Sequence, residues 1–318
     1  MPDPSTLRRA QNSLLRAFVN AEERRLRAGW RLLCYGILFI VGMSSGELVL
    51  AAMFAVGGSK DLPPEASQVL HYVVYLAVTL SCTWLARRVL DRRPFLDIGL
   101  RLSRRWWADA LFGVSLGGAL MACIAFVEWA AGWLQFRGFA WQDLNWAQLL
   151  SSFAMALVVY VAVAINEELM IRGYVMQNLG EGLNMTWALL ISSALFGLLH
   201  LGNPYASWVS TLNIAFAGVF LATSYLVNRT LWLPMGLHLG WNFFQGTIFG
   251  FPVSGVEGFH LVRQTVAGPE WATGGPFGPE AGLTGLAAMA LGTSLISHWA
   301  MVRRRRQGAD QSVGRGSS

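Results

Sequence analysis

Two adjacent carboxylates and an arginine close a long apolar run, in the sequence Glu167-Glu168-Leu169-Met170-Ile171-Arg172. An ionisable side chain inside hydrocarbon costs roughly 2.5–3.5 kcal/mol on insertion scales, so such residues usually serve a function. On an α-helix, Glu168 and Arg172 share a face and can pair, whereas Glu167 points about 100° away from Glu168. We therefore predict a structural role for the pair and a chemical role for Glu167. The alternative is a membrane boundary at which all three charges reach water.

Two later apolar segments also carry polar side chains. One ends with Phe196 and, four residues on, His200; the other contains His238 and Asn242, again four residues apart. Because a spacing of four places side chains on one helical face, His238 and Asn242 should point the same way. Hydrocarbon disfavours all of these groups, so the economical arrangement is one shared cavity that also receives Glu167.

The elements that position these residues are predicted to be membrane helices. The chain is 54% hydrophobic and 13% charged, which is typical of a polytopic membrane protein and unlike a soluble globule. We expect an all-α fold with about eight transmembrane helices, each near the roughly 20 residues that hydrocarbon requires. The lipid bilayer is thus an expected partner, and nucleic acid is not. The predicted segments are about 31–56, 69–90, 108–135, 148–172, 185–201, 207–227, 231–250 and 282–301.

The arginines indicate the orientation of these segments. They form clusters in the N-terminal tail, between the second and third segments, and at 303–306. An even number of spans places all three clusters on one side of the membrane. Since cytoplasmic loops carry an excess of Lys and Arg, we predict an integral, multi-pass protein of the cell membrane with both termini in the cytoplasm.

The chain divides into five predicted regions. Two stretches, 42–46 and 113–117, match Gly-x-Ser-x-Gly, but they lie inside apolar segments and not at the strand-to-helix turn of a hydrolase, so we interpret them as helix-packing motifs. The Gly- and Pro-rich stretch before the last segment has no periodicity and is expected to be flexible. The regions are a cytoplasmic tail (1–30), accessory transmembrane helices (31–147) with an interfacial elbow (91–107), a catalytic core (148–250), an external loop (251–281), and the last transmembrane helix with a basic cytoplasmic tail (282–318).

The three motifs together resemble a known family. Glu-Glu-x-x-x-Arg, Phe-x-x-x-His and His-x-x-x-Asn, in this order on successive apolar segments, are similar to the motifs of the CPBP intramembrane proteases. That family includes the type II CAAX prenyl endopeptidases and the bacterial Abi, or bacteriocin-immunity, proteins. The resemblance covers about residues 148–250 and includes all three motifs unbroken.

The resemblance implies an endopeptidase whose site lies within the bilayer. Its substrates would be peptides or membrane proteins, with CAAX-type prenylated proteins in one branch of the family. By position, Glu167 would be the general base that activates water, with His200 as its partner. His238 and Asn242 would form the oxyanion site. Glu168, Arg172 and Phe196 would support the structure.

Two questions stay open at this stage. Glu167, His200 and His238 could bind a catalytic zinc ion with one open position, but the same residues suffice for a metal-free glutamate–histidine mechanism. No other cofactor is expected. A non-catalytic immunity or transport protein could use the same polar cavity for binding. A rhomboid-like serine protease is disfavoured, because the Gly-x-Ser-x-Gly matches precede the histidine motif and lie in other segments.

Overall fold

The computed structural model describes residues 17–20, 22–56 and 64–315 of the chain. The predicted N-terminal tail and its arginine cluster lie partly outside these residues, as does part of the loop after the first predicted segment. Within the described ranges the chain is mainly helical. Its α-helices are α1 (Ala28–Val56), α2 (Pro64–Ala86), α3 (Trp106–Ala130), α4 (Trp146–Glu168), α5 (Met176–Gly182), α6 (Met185–Leu199), α7 (Trp208–Asn228), α8 (Trp232–Phe243), α9 (Glu270–Thr273) and α10 (Leu283–Arg315).

Membrane-length helices confirm the predicted fold class. In the described part of the chain, seven helical segments are long and apolar enough to cross a bilayer, which makes this a polytopic all-α protein. The segment predicted at 231–250 differs from the others. Its helix α8 has only 12 residues, extended by a five-residue π-helix, Phe244–Ile248. Nearly all of α8 is buried by protein, so it does not have to match the thickness of the bilayer.

The chain forms two compact units. Unit 1 comprises Met1–Arg101 and Ile165–Ser192, and unit 2 comprises Leu102–Ala164 and Ser193–Ser318. Short antiparallel strand pairs supplement the helices in each unit. Strands β1 (Val19–Asn20) and β2 (Arg25–Leu26) pair in unit 1, and β3 (Leu134–Phe139) and β4 (Val262–Val266) pair in unit 2.

Glycines bring α1 and α2 together in unit 1. A Cβ atom added to Gly42 would lie 2.8 Å from Cys82 Sγ, and one added to Gly46 would lie 3.2 Å from a methyl group of Val74. Only a residue without a side chain allows this approach. The predicted packing role of 42–46 is therefore confirmed.

The elbow of unit 1 is built from irregular helices. A π-helix, Arg87–Asp91, ends α2, and a 3₁₀-helix, Phe95–Ile98, follows it. Asp97 and Arg101 form an ion pair of 2.6 Å on the surface of the elbow. The predicted elbow at 91–107 therefore contains ordered turns before α3 begins.

Glycines also allow α3 to pack closely against α8 in unit 2. Added Cβ atoms on Gly113 and Gly117 would lie 2.5 Å from backbone atoms of α8, and those on Gly236 and Gly240 of α8 would lie even closer to the backbone of α3. Two glycine pairs therefore interlock where the helices cross. The predicted packing role of 113–117 is confirmed.

The segment 251–281 is ordered, and the expectation of a flexible loop is wrong. Its strand β4 pairs with β3 from Leu134↔Val266 to Phe139↔Val262, across more than a hundred residues of sequence. Phe251, Ala272 and Phe277 are buried as apolar anchors. These anchors have no regular spacing, so the stretch shows no helical or strand period although it packs firmly.

Candidate active site

The first motif ends helix α4 in unit 1. Arg172 Nη1 donates to Glu168 Oε1 at 2.8 Å, and both side chains are 0% exposed. This confirms the predicted ion pair. A π-helix, Leu169–Val175, begins directly after Glu168, and such widened turns are frequent at functional sites.

Glu167 lies beside this pair without sharing its burial. The side chain of Glu167 is half-buried, whereas Glu168 is fully enclosed. Arg172 interacts electrostatically with Glu168 first and with Glu167 second. Tyr72 of α2 is also within electrostatic range of Glu167. Of the two carboxylates, Glu167 is thus the less enclosed one.

The second motif, in unit 2, fixes the tautomer of a histidine. His200 follows α6 and opens a 3₁₀ turn, His200–Gly202. Its Nδ1 lies 2.7 Å from the carbonyl oxygen of Phe196. A carbonyl oxygen only accepts hydrogen bonds, so Nδ1 carries the proton and donates it. In the neutral ring, Nε2 then keeps its lone pair and can take up a proton.

Phe196 brings the two histidines together. Its buried ring lies 4.8 Å from the ring of His200 and 6.3 Å from the ring of His238, between centroids. The next residue, Gly197, packs against the backbone of α7 at Thr211. Unit 2 therefore holds both imidazoles against one aromatic side chain.

The third motif lies on the buried helix α8. His238 and Asn242 are each 6% exposed. The glycines that contact α3 point the other way: Gly236 lies two residues from His238, and Gly240 lies two residues from both His238 and Asn242, or about 200° round the helix. One face of α8 is consequently used for close packing, and the opposite face presents the histidine and the amide.

Glu280 is a polar group that the sequence analysis missed. It is 5% exposed and accepts hydrogen bonds from Ser254 N at 2.8 Å and from Ser254 Oγ at 2.7 Å. Burial raises the pKa of the Glu280 carboxyl, while the Ser254 hydrogen bonds and the charges of His200 and His238 oppose the rise. A carboxylate three residues before an apolar helix was the available signal, and the argument applied to Glu167 would have found it.

The structure groups the predicted residues within each unit. His200, His238, Asn242 and Phe196 belong to unit 2, whereas Glu167 and the Glu168–Arg172 pair belong to unit 1. The shared cavity for Glu167 and the histidines stays a prediction.

The zinc site suggested from the sequence, with Glu167, His200 and His238 as ligands, stays a prediction. Among the residues that the structure describes, no three His, Cys, Asp or Glu side chains are grouped as ligands for a metal ion. A catalytic zinc ion takes three protein ligands and leaves one position open. The roles proposed below are those of protein side chains alone.

These observations define a polytopic α-helical membrane protein with a half-buried histidine, a buried histidine, a buried amide and buried carboxyl groups. Comparison with known proteins agrees: residues 148–244 match the family described as type II CAAX prenyl endopeptidase Rce1-like. The match contains all three motifs and confirms the resemblance predicted from them. The chain is also similar to the uncharacterized protein YyaK of Bacillus subtilis (strain 168), at 27% identity over 187 residues, or 57% of this chain and 60% of YyaK. No solved structure matches.

Proposed function

We propose that this protein is an intramembrane endopeptidase that hydrolyses peptide bonds of membrane-associated substrates. The observation that carries the proposal is the pair of histidines held by Phe196, inside the region that matches an endopeptidase family. An imidazole with a defined tautomer, as in His200, is suited to moving a proton during hydrolysis. Two imidazoles in the apolar helical part of a membrane protein are costly without such a use.

Glu167 is proposed as the general base. It would take a proton from water, so that the hydroxide equivalent attacks the carbonyl carbon of the scissile bond. The Glu168–Arg172 ion pair supports this role, because it engages the neighbouring carboxylate and holds the end of α4. Glu167 would thus react with water, and Glu168 and Arg172 would stabilise the end of α4.

His200 is proposed as the partner of that base. Its Nδ1–H is committed to the carbonyl of Phe196, so Nε2 is the atom that would accept and pass on a proton. The proton would finally reach the leaving amine, which completes the cleavage. His238 and Asn242 would donate hydrogen bonds to the oxyanion that develops on the carbonyl oxygen.

The substrate is proposed to be a peptide or membrane protein, with CAAX-type prenylated proteins as one candidate class. This proposal rests on the family match at 148–244. We also propose a location in the cell membrane with both termini cytoplasmic, supported by the arginine clusters of the sequence. Reporter fusions after Arg306 and within 251–281 would report the side of the membrane on which each of these positions lies.

The test is a comparison of membrane peptides in cells that express the wild type or Glu167→Ala. New peptide N-termini should appear with the wild type and be absent with the variant. A matched control is Glu257→Ala, which removes an exposed carboxylate outside the motifs and should leave the pattern unchanged. Identical patterns for the wild type and Glu167→Ala would contradict the proposal and favour a non-catalytic immunity or transport protein.

A further inference from the structure

A cavity of about 680 Å³ lies at the start of α1 in unit 1. Its lining combines cations with apolar side chains, among them Arg27, Arg31, Arg93, Trp30 and Leu33. The volume is within the range of ligand-binding pockets, about 300–1,000 Å³. Because a membrane-length apolar span begins with α1 at Ala28, the cavity lies at the boundary of that span, where lipid headgroups are found.

Ion pairs hold the arginines around this cavity in place. Three of them donate to Glu181 at the end of α5: Arg25 at 3.0 Å, Arg31 at 2.7 Å and Arg93 at 2.5 Å. Arg31 also donates to Asp91 of the elbow, at 2.8 Å. Hydrogen bonds between ionised groups are stronger than neutral ones and fix the geometry of the guanidinium. The network therefore positions the cationic side chains before any ligand binds.

Positive charge exceeds negative charge in this network. We count the ionisable residues that line the cavity together with those joined to them by ion pairs. In the part of the chain that the structure describes, these are five arginines, Arg25, Arg27, Arg31, Arg87 and Arg93, and three carboxylates, Glu23, Asp91 and Glu181. The excess of two positive charges favours an anion in the cavity.

The arginines retain N–H groups for such an anion. The side chain of Arg93 is 42% exposed and donates to Glu181 through Nη1, so other N–H groups of its guanidinium can reach a ligand. Arg31 Nε is buried without a hydrogen-bond partner among the described residues. The first turn of α1 adds backbone N–H groups, since these have no partner inside the helix. Anions bind readily at such a helix start.

An apolar stripe leads from the cavity along α1. Leu33, which lines the cavity, and Ile37 and Ile40 are 52%, 56% and 67% exposed. Their spacing of four and then three residues places them on one face of the helix. Trp30, at the mouth of the cavity, is of the type that marks membrane–water interfaces. A ligand with both an anionic group and a hydrocarbon chain fits this combination better than a soluble anion does.

We propose that the cavity binds the phosphate headgroup of an anionic phospholipid, whose acyl chains lie along Leu33, Ile37 and Ile40. Arg27 and Arg93 would donate charge-assisted hydrogen bonds to the phosphate oxygens, and the first turn of α1 would add backbone donors. Basic pockets beside transmembrane helices are typical sites for anionic headgroups. The site belongs to unit 1 and does not depend on the proposed peptide hydrolysis.

The first test changes the charge. Native mass spectrometry of the full chain, titrated with phosphatidylglycerol, would measure the affinity, with uncharged-headgroup phosphatidylcholine as the weaker ligand. Arg93→Gln should weaken phosphatidylglycerol binding roughly fivefold, the contribution of one arginine near an anionic lipid. Arg88→Gln is the matched control, because Arg88 is exposed on the same elbow but does not line the cavity. Equal losses in the two variants, or equal affinity for the two lipids, would contradict the proposal.

The second test fills the cavity. Gly29 lines it, and Gly36 lies seven residues further along the same face of α1. Nothing lies within 4 Å of an added Cβ atom at either glycine, so leucine should be accommodated at both positions. Gly29→Leu should weaken phosphatidylglycerol binding at least as much as Arg93→Gln, and Gly36→Leu should not. Wild-type affinity in Gly29→Leu would overturn the site.

A soluble ligand distinguishes a lipid from a free phosphate. Glycerol 1-phosphate carries the phosphate without an acyl chain, and each buried CH₂ group contributes about fourfold to binding. We therefore expect it to bind at least about 100-fold more weakly than phosphatidylglycerol. Equal affinities would refute the assignment to a lipid. None of these measurements requires hydrolysis, so a failure of the proposed function would leave their outcome unchanged.

Discussion

Unit 1 neutralises its buried carboxylates with arginines. Glu168 pairs with Arg172 at 2.8 Å, and Asp91 receives Arg31 and Arg87, each at 2.8 Å. All five side chains are almost completely enclosed. Arginine stays protonated at any working pH, so each of these carboxylates has a permanent positive charge beside it.

Unit 2 holds its most buried carboxyl groups with hydroxyls. Glu280 accepts from Ser254, and Glu128 accepts from Thr284 at 2.9 Å. Both residues are nearly inaccessible, at 5% and 0% exposure. A hydroxyl stabilises a carboxyl group but brings no charge to it. These acids therefore remain able to exchange a proton or to respond to a charged neighbour.

The difference in partners distinguishes carboxylates that stabilise the fold from carboxyl groups that could take part in chemistry. An arginine partner makes removal of one charge expensive, because the other stays buried and unpaired. A hydroxyl partner carries no charge, so no buried ion is left unpaired when the carboxyl group loses its own charge. Unit 2 also has an arginine pair, Asp109 with Arg303, but there the arginine is 30% exposed and the pair lies near a helix end.

The largest expected effect is the loss of stability when the Glu168–Arg172 ion pair of unit 1 is broken. Arg172→Ala leaves Glu168 as an uncompensated buried charge, which should cost roughly 3–5 kcal/mol of stability. Thermal unfolding and folded yield in detergent would measure it. Arg101→Ala breaks an exposed pair of the same spacing with Asp97 and should cost no more than about 1 kcal/mol. If Arg172→Ala folds normally but binds substrate without turnover, the bracing role is wrong.

Removal of the amide on α8 should affect turnover but leave the fold intact. Asn242→Ala deletes one proposed oxyanion donor and should lower kcat on the order of 10²–10³-fold. Steady-state kinetics in vesicles would report the loss, and the melting temperature should change little. A variant with wild-type kcat would remove Asn242 from the mechanism.

A smaller effect is expected where α3 and α8 cross. Gly240→Ala places a methyl group against the backbone of Val114 and should cost about 1–3 kcal/mol through overpacking. Gly258→Ala is the matched control, since nothing lies within 4 Å of the new Cβ atom. Thermal unfolding of both proteins would compare the sites. Equal melting temperatures of the two variants would show that the stability of the protein does not depend on the close contact between α3 and α8 at Gly240.

Local periodicity explains what the sequence could predict. The Glu168–Arg172 pair and the shared face of His238 and Asn242 follow from residues four apart on a helix. The packing of 113–117 follows from small residues in an apolar segment. None of these inferences needs knowledge of a distant part of the chain.

Non-local contacts explain what the sequence could not predict. The pairing of β3 with β4 and the position of Glu280 join residues that are far apart in sequence and share no repeating pattern. The shortness of α8 depends on its burial by other helices, which replaces lipid around it. A hydropathy pattern contains neither kind of information.

The most direct test of the central claim is the rate of peptide hydrolysis by Glu167→Gln. The substrate would be a peptide identified from the comparison of membranes, and purified protein in vesicles would be measured under single-turnover conditions. Loss of a general base typically costs roughly 10²–10⁴-fold, so the variant should bind the peptide but cleave it at least about 10²-fold more slowly. Glu257→Gln should match the wild type. Wild-type cleavage by Glu167→Gln would contradict the claim that this carboxylate activates the water.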